Sequence, residues 1–235
     1  MNKIPEKGFY KDEANHKYYL DGNQLVGVTT VTGQLEKGGL IYWYLNSAKA
    51  EVKELIRSGN KISLSEIDNA FKTGERLNEE AKLRGTTFHK MVEEYIKEDK
   101  DEKVNDELDK MFTTFKEFVN GEKIKFLESE KVVYSSKYKF AGTLDFVLKY
   151  NDKFYLADLK TSTRIYQTHW IQMSGYKIAL DEMDFMTIGK RYEIEGLMVI
   201  NIDKNGALTV DTCEEFDRYR RAFLGLLAVY RTLKN

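Results

Sequence analysis

Between Lys139 and Ser162 the chain reads KFAGTLDFVLKYNDKFYLADLKTS. This stretch constrains the fold more than any other. It has the pattern of two strands joined by a tight turn at Tyr150-Asn151-Asp152-Lys153, with successive side chains on opposite faces of the pleat. In the second strand Phe154, Leu156, Asp158 and Lys160 share a face. In the first, Asp145 shares its face with Thr143 and Val147. Both faces are apolar enough to be covered, so Asp145 and Asp158 are expected to be half-buried, and paired buried carboxylates require a cation. An Asp-x-Lys at a strand end is more often a surface salt bridge than a site. A second acid on a preceding strand of matching length argues the other way, because two acids and a lysine converging at strand ends suit metal-assisted phosphodiester cleavage.

The chain has 235 residues, 42% of them hydrophobic, which is enough for one sizeable core or a core with a helical appendage. Its 37 basic and 38 acidic residues give a net charge of -1, which removes any global basic signal but not a local basic groove. The single Cys213 excludes an intrachain disulfide, a multi-cysteine zinc site and a cysteine-ligated iron–sulfur cluster. One cysteine, the absence of a signal-peptide pattern and the absence of a membrane-length apolar run lead to the expectation of a cytoplasmic protein.

From the N-terminus, residues 9–28 read as a hairpin or three short strands with a turn at Asp21-Gly22-Asn23. A helix is expected from Leu40 to Ile56, with Ile41, Tyr44, Leu45, Ala48 and Val52 inward. A second, capped by Ser63 or Ser65, should run to Leu83. These helices read as a solvated appendage or as an arch over a substrate. Arg84-Gly85-Thr86-Thr87 predicts a break and a new helix, with Phe88, Met91, Val92, Tyr95 and Ile96 as its apolar stripe and His89 at the stripe's edge. Leu108 to Phe118 resumes helix, with Leu108, Met111, Phe112, Phe115 and Val119 expected inward. Phe126 to Tyr134 adds a third strand to the hairpin, most simply as an antiparallel meander, and carries Glu128 and Glu130. Residues 165–183 form a helix on which His169, Gln172 and Tyr176 fall within roughly 80° of arc. A strand at 196–202, a turn at Asn205-Gly206 and a short strand follow. Thr212 with Glu215 reads as a capping box for the last helix.

With His89, Asp145, Asp158-x-Lys160 and Gln172-x-x-x-Tyr176 in that order, the chain resembles the RecB-like branch of the PD-(D/E)xK nucleases, which includes phage exonucleases and mitochondrial genome-maintenance exonucleases. The stretches RGTTFH, AGTLDF, LADLKTS and QMSGY carry the resemblance across about Gly85 to Tyr176, and YYLDGNQLVGVTTV is a looser match. Gly142 stands where the wider superfamily has proline.

The resemblance implies an α/β restriction-endonuclease-like core with a central mixed sheet flanked by helices, plus an N-terminal hairpin and a helical arch or lid. A single nuclease domain would span 1–235, with 1–84 as appendage and 85–235 as core. Asp145, Asp158, His89 and the Leu159 carbonyl would bind Mg²⁺ or Mn²⁺, and Lys160 would hold the attacking water or the scissile phosphate. Gln172 and Tyr176 would position DNA or the catalytic groups. The acid on the preceding strand would be Glu128 or Glu130, with Glu130 favoured. Arg164, Lys177, Lys139 and His169 are the expected DNA contacts, and Tyr42, Trp43 and Tyr44 offer surfaces for base stacking.

The expected activity is metal-dependent exonuclease action on single-stranded DNA ends in phage or mobile-element replication, recombination or repair, with a recombination or replication protein as partner. The rivals are a double-strand-end resecting recombination exonuclease and a noncatalytic DNA-binding or inhibitor module on the same fold. The presence of every motif residue counts against the last.

Overall fold

The structure is a computed structural model that describes residues 7–35, 38–98, 100–186 and 192–234. The chain forms two compact units, one of Met1–Gln34 with Met91–Asn235 and one of Leu35–Lys90.

The first unit is α/β, built on a mixed eight-stranded sheet flanked by helices. β1 (Phe9–Asp12), β2 (Lys17–Leu20) and β3 (Asn23–Gly27) form an antiparallel meander. Its second turn places Asp21 and Gly22 at φ 49° and 75°, the left-handed pair that a two-residue hairpin turn demands. The short α1 (Val28–Thr32) follows. After the helical segments, β4 (Lys125–Ser135), β5 (Phe140–Tyr150) and β6 (Lys153–Lys160) pair antiparallel, as the apolar patterning predicts. Asn151 and Asp152 make the β5–β6 turn with φ of 48° and 63°. Helix α5 (Gln167–Met186) then crosses over to β7 (Ile194–Ile202), which lies parallel to β6, and β8 (Leu208–Cys213) closes that edge antiparallel to β7.

Sequence-distant pairing decides the shape of the sheet's centre. β4 pairs with β5 along nearly its whole length, so β5 has one edge left. β3 takes the start of that edge in parallel, through Val26–Phe140 and Gly27–Ala141. β6 takes its end, from Phe146–Ala157 to Tyr150–Lys153. Between these partners, no strand among the described residues pairs with residues 142–145 on that edge. The N-terminal strands, grouped by sequence with the helices after them, therefore belong to the sheet.

One face of the sheet packs against α5, α1 and α6 (Asp217–Lys234) through Leu144, Val147, Leu156, Val199, Met173 and Phe223. Gly175 lets α5 and α6 meet, because a Cβ there would lie 2.6 Å from the Phe223 ring. Helix α4 (Asp106–Gly121) buries Leu108, Met111, Phe112, Phe115 and Val119, the stripe expected from its spacing. Each such side chain contributes roughly 1.5–3 kcal/mol of burial. Asn105 caps it by accepting from the Leu108 N–H at 2.9 Å.

The second unit holds α2 (Gly38–Arg57) and most of α3 (Leu64–Glu98). On α2, Ala48 is buried, whereas Ile41 and Leu45, expected inside, are exposed. Ser63 starts α3 with a reciprocal capping box: Glu66 Oε2 accepts from the Ser63 N–H at 2.8 Å, and Ser63 Oγ accepts from the Glu66 N–H.

Two expectations of local structure are corrected. The break at Arg84-Gly85-Thr86-Thr87 does not occur, since α3 runs through it. A helical glycine costs only about 1 kcal/mol, and Thr87 Oγ1 donates to the Leu83 carbonyl at 2.9 Å without leaving the helix. Thr212 and Glu215 are not a capping box either. Pairing of β8 with β7 continues to Cys213, so Thr212 is strand and α6 begins at Asp217.

Candidate active site

The β4–β5–β6 meander brings Asp145, Asp158, Lys160 and Glu130 together. Asp158 and Lys160 stand at the C-terminal end of β6, where Lys160 Nζ forms an ion pair with Asp158 Oδ2. The Asp158 side chain is 1% exposed and that of Lys160 20%. Asp145 Oδ2 accepts from the Leu159 N–H at 2.8 Å, so a side chain bridges β5 to β6 just where their backbone pairing ends. Burial pulls the Lys160 ammonium towards neutrality, but Asp158 and then Asp145 outweigh it and raise its pKa above the ordinary lysine value. Lys160 is held as a half-buried cation.

Strict alternation, which would put Asp145 on the face of Val147, is interrupted here. Leu144 and Val147, three residues apart, both reach the same core cluster. On the facing strand Glu130 lies between the pairs Ser129–Phe146 and Lys131–Leu144, with φ of 51°. A left-handed backbone at a non-glycine residue inside a strand costs on the order of 1–3 kcal/mol and calls for a compensating role. Its effect is to bring a Glu130 carboxylate oxygen within 4.8 Å of one from Asp145. The Glu130 carboxyl is pushed up to about 7, first by burial, then by Asp145 and Glu93, with Lys97 and Lys11 acting in the opposite direction. Of the two acids on β4, Glu130 is the one whose carboxylate approaches Asp145. Glu128 accepts from Tyr192 Oη at 3.0 Å and pairs with Lys131 at 3.1 Å, away from Asp145.

From α5, Gln172 Nε2 donates to Tyr176 Oη at 3.0 Å. Burial, then Asp158 and Asp145, hold the Tyr176 phenol well above its ordinary pKa, so it stays a neutral hydroxyl beside the acids. At Gly142 a Cβ would lie 2.5 Å from Tyr176 Cε1, so the ring rests on the bare backbone of β5. His89 is half-buried on α3, within the second unit. On that unbroken helix it lies one turn before Glu93, on the same face.

The expected DNA contacts are dispersed. Arg164 is exposed and lies over the Tyr166 ring at 5.0 Å, in the loop just beyond Lys160. His169 Nδ1 accepts from the Tyr166 N–H at 3.3 Å. Lys139 is exposed at the β4–β5 turn. Lys177 is buried, bonded to both carboxylate oxygens of Asp181 at 3.0 and 2.8 Å, and set over the Phe216 ring. It is thus engaged between α5 and the start of α6. On α2, Tyr42 and Trp43 are exposed, while Tyr44 is half-buried.

Four participants escaped the sequence reading. Glu93, Lys97 and Lys11 act on Glu130. Asn201, 2% exposed on β7, accepts from the Ser162 N–H and Oγ and donates to the Ser162 carbonyl, tying down the loop after Lys160. A lone asparagine inside the apolar run GLMVINI was the available signal.

Asp158 and Asp145 at Lys160, with Glu130 beside Asp145, outnumber the one ammonium, and all three acids are oxygen donors. This set fits a divalent cation, which would offset the burial and the Asp145 charge that raise the Glu130 carboxyl to about 7.

The site is a carboxylate–lysine cluster at the centre of a mixed α/β sheet. No family model matches this chain, and no curated protein does. Among solved structures 18 chains match. One, described as "Crystal structure of SSO0001", is 12% identical with a TM-score of 0.36, over 87% of this chain and 75% of that one. Among the described residues, no helix is long and apolar enough to cross a membrane.

Proposed function

We propose that the chain is a metal-dependent deoxyribonuclease with a restriction-endonuclease-like core, acting as an exonuclease on single-stranded DNA ends. The observation that carries this reading is the pair of acids at Lys160, Asp158 in an ion pair with it and Asp145 acting on its charge, with the Glu130 carboxylate beside Asp145. Asp145, Asp158 and Glu130, with His89 and the Leu159 carbonyl, would hold Mg²⁺ or Mn²⁺. Imidazole among the ligands favours Mn²⁺. The metal would polarise the scissile phosphate and lower the pKa of a bound water.

Lys160, fixed by Asp158, presents a positive charge where negative charge develops as water attacks phosphorus and the ester oxygen departs. Tyr176, oriented by Gln172, offers a neutral hydroxyl to a phosphate oxygen. Asp145 keeps β6 in place through Leu159, and Asn201 keeps the following loop in place. The second unit is proposed as the arch that confers preference for ends.

End-labelled linear and circular single-stranded DNA, incubated with Mg²⁺, Mn²⁺ or EDTA, tests the reading. Asp158→Asn is the control, because it retains the shape of the side chain beside Lys160. Metal-dependent loss of linear DNA alone is expected, with at least a hundredfold slower loss in the variant. Cutting of circles would replace the exonuclease reading by an endonuclease. Binding without cutting under any metal would make the chain a DNA-binding module.

A further inference from the structure

The open edge of β5 adjoins a cleft of about 600 Å³ within the first unit, inside the size range of ligand-binding clefts. At its inner end lie Glu130, Gly142, Thr143 and Tyr176, so the cleft reaches the acid cluster. Its outer wall is the β1–β3 meander and α1, with Lys11, Lys17, Tyr18, Thr29 and Thr30 along it. Three of these fix or charge the wall. Tyr18 Oη and Thr143 Oγ1 are 3.0 Å apart, which fastens β2 to β5 two residues before Asp145. Lys11 is mostly buried along its stem and meets Glu13 at 2.8 Å, a carboxylate 74% exposed and free to swing into solvent. Lys17 is exposed, and its cross-strand neighbour Asp12 turns instead to Asn15 and to the Ala14 N–H.

The wall thus offers two ammonium groups and two threonine hydroxyls leading to a site that must receive a phosphodiester. We infer that this cleft is the track for the sugar–phosphate backbone of the substrate strand, with Lys11 and Lys17 gripping the phosphates next to the one cleaved. None of the DNA contacts expected from sequence lies on this wall. The inference rests on the nuclease reading for its substrate, and its specific content is that the N-terminal meander, not the loop after Lys160, carries the strand.

The test measures binding of a fluorescent (dT)12 oligonucleotide by the full chain carrying Asp158→Asn, in EDTA, across a salt series. Lys11→Ala with Lys17→Ala should weaken binding about tenfold near 100 mM salt. The same pair should flatten the slope of log K against log salt by about 1.4, close to 0.7 per phosphate contact on a single strand. Lys234→Ala, an exposed lysine at the end of α6, should change neither, and thermal melts would confirm that each variant folds. If the double variant binds as tightly as its parent while wild type cleaves, the cleft assignment is overturned and the nuclease reading stands. If wild type fails to cleave with either metal but the double variant still loses binding, the nuclease reading falls and the cleft stands. A wild-type chain that neither cleaves nor binds (dT)12 overturns both.

Discussion

Glu130 combines a left-handed backbone, a carboxyl held near pKa 7 and a second carboxylate within 4.8 Å. A carboxyl whose folded pKa lies above its ordinary 4.5 weakens the fold as pH rises from about 4.5 through 7, since only the unfolded chain releases the proton freely. The penalty at alkaline pH is at most about 3 kcal/mol, and solvent screening of this partly exposed group reduces it. Glu130→Gln should therefore raise the metal-free melting temperature at pH 8 by a few degrees more than at pH 4.5. Equal shifts at the two pH values would show that the carboxylate is not strained. Mn²⁺ should narrow the pH 8 difference by stabilising wild type selectively.

Lys160 and Asp158 allow stability to be separated from chemistry. Lys160→Ala leaves a buried carboxylate without its nearest cation and should cost about 3 kcal/mol, whereas Asp158→Asn with Lys160→Met removes both charges and should cost less. Both should lack cleavage. A double variant no more stable than the single one would mean that the pair is not the electrostatic unit its geometry indicates.

At the scale of elements, the contact of α5 with β5 is the sensitive joint. Gly142→Ala would drive a methyl group into the Tyr176 ring, and overpacking of this kind costs roughly 1–3 kcal/mol. Adding Tyr176→Ala should recover part of that loss. The two substitutions should be non-additive in urea unfolding, and simple additivity would remove the joint. The same elements show where the sequence was readable. The apolar stripe of α4, the Ser63 cap and the turn at Asn151-Asp152 are local features, and each appears where residue spacing predicts. The supposed break at Gly85 and the supposed cap at Thr212 were local signals too, overridden by an intact helix and by strand pairing respectively.

For the whole molecule, the arch proposal predicts that replacing residues 40–83 with a short linker abolishes preference for linear over circular DNA. An unchanged preference in the cleavage assay would discard the arch. What the sequence determined by itself was the cast of the candidate site: Asp145, Asp158 and Lys160 follow from acids and an amine set into apolar strands, and Gln172 with Tyr176 from helical spacing. What only the tertiary structure decided was their arrangement. Glu130 rather than Glu128 faces Asp145 because the β4 backbone turns left-handed at that residue. Lys11 acts on Glu130, and the cleft exists, because β3 takes one end of an edge of β5 and β6 takes the other. Periodicity reports which side of an element is buried, since that depends on neighbours three or four residues away. It carries no record of which strand, a hundred residues distant, pairs with that element, because that outcome is set by the competition of all edges for partners as the chain closes.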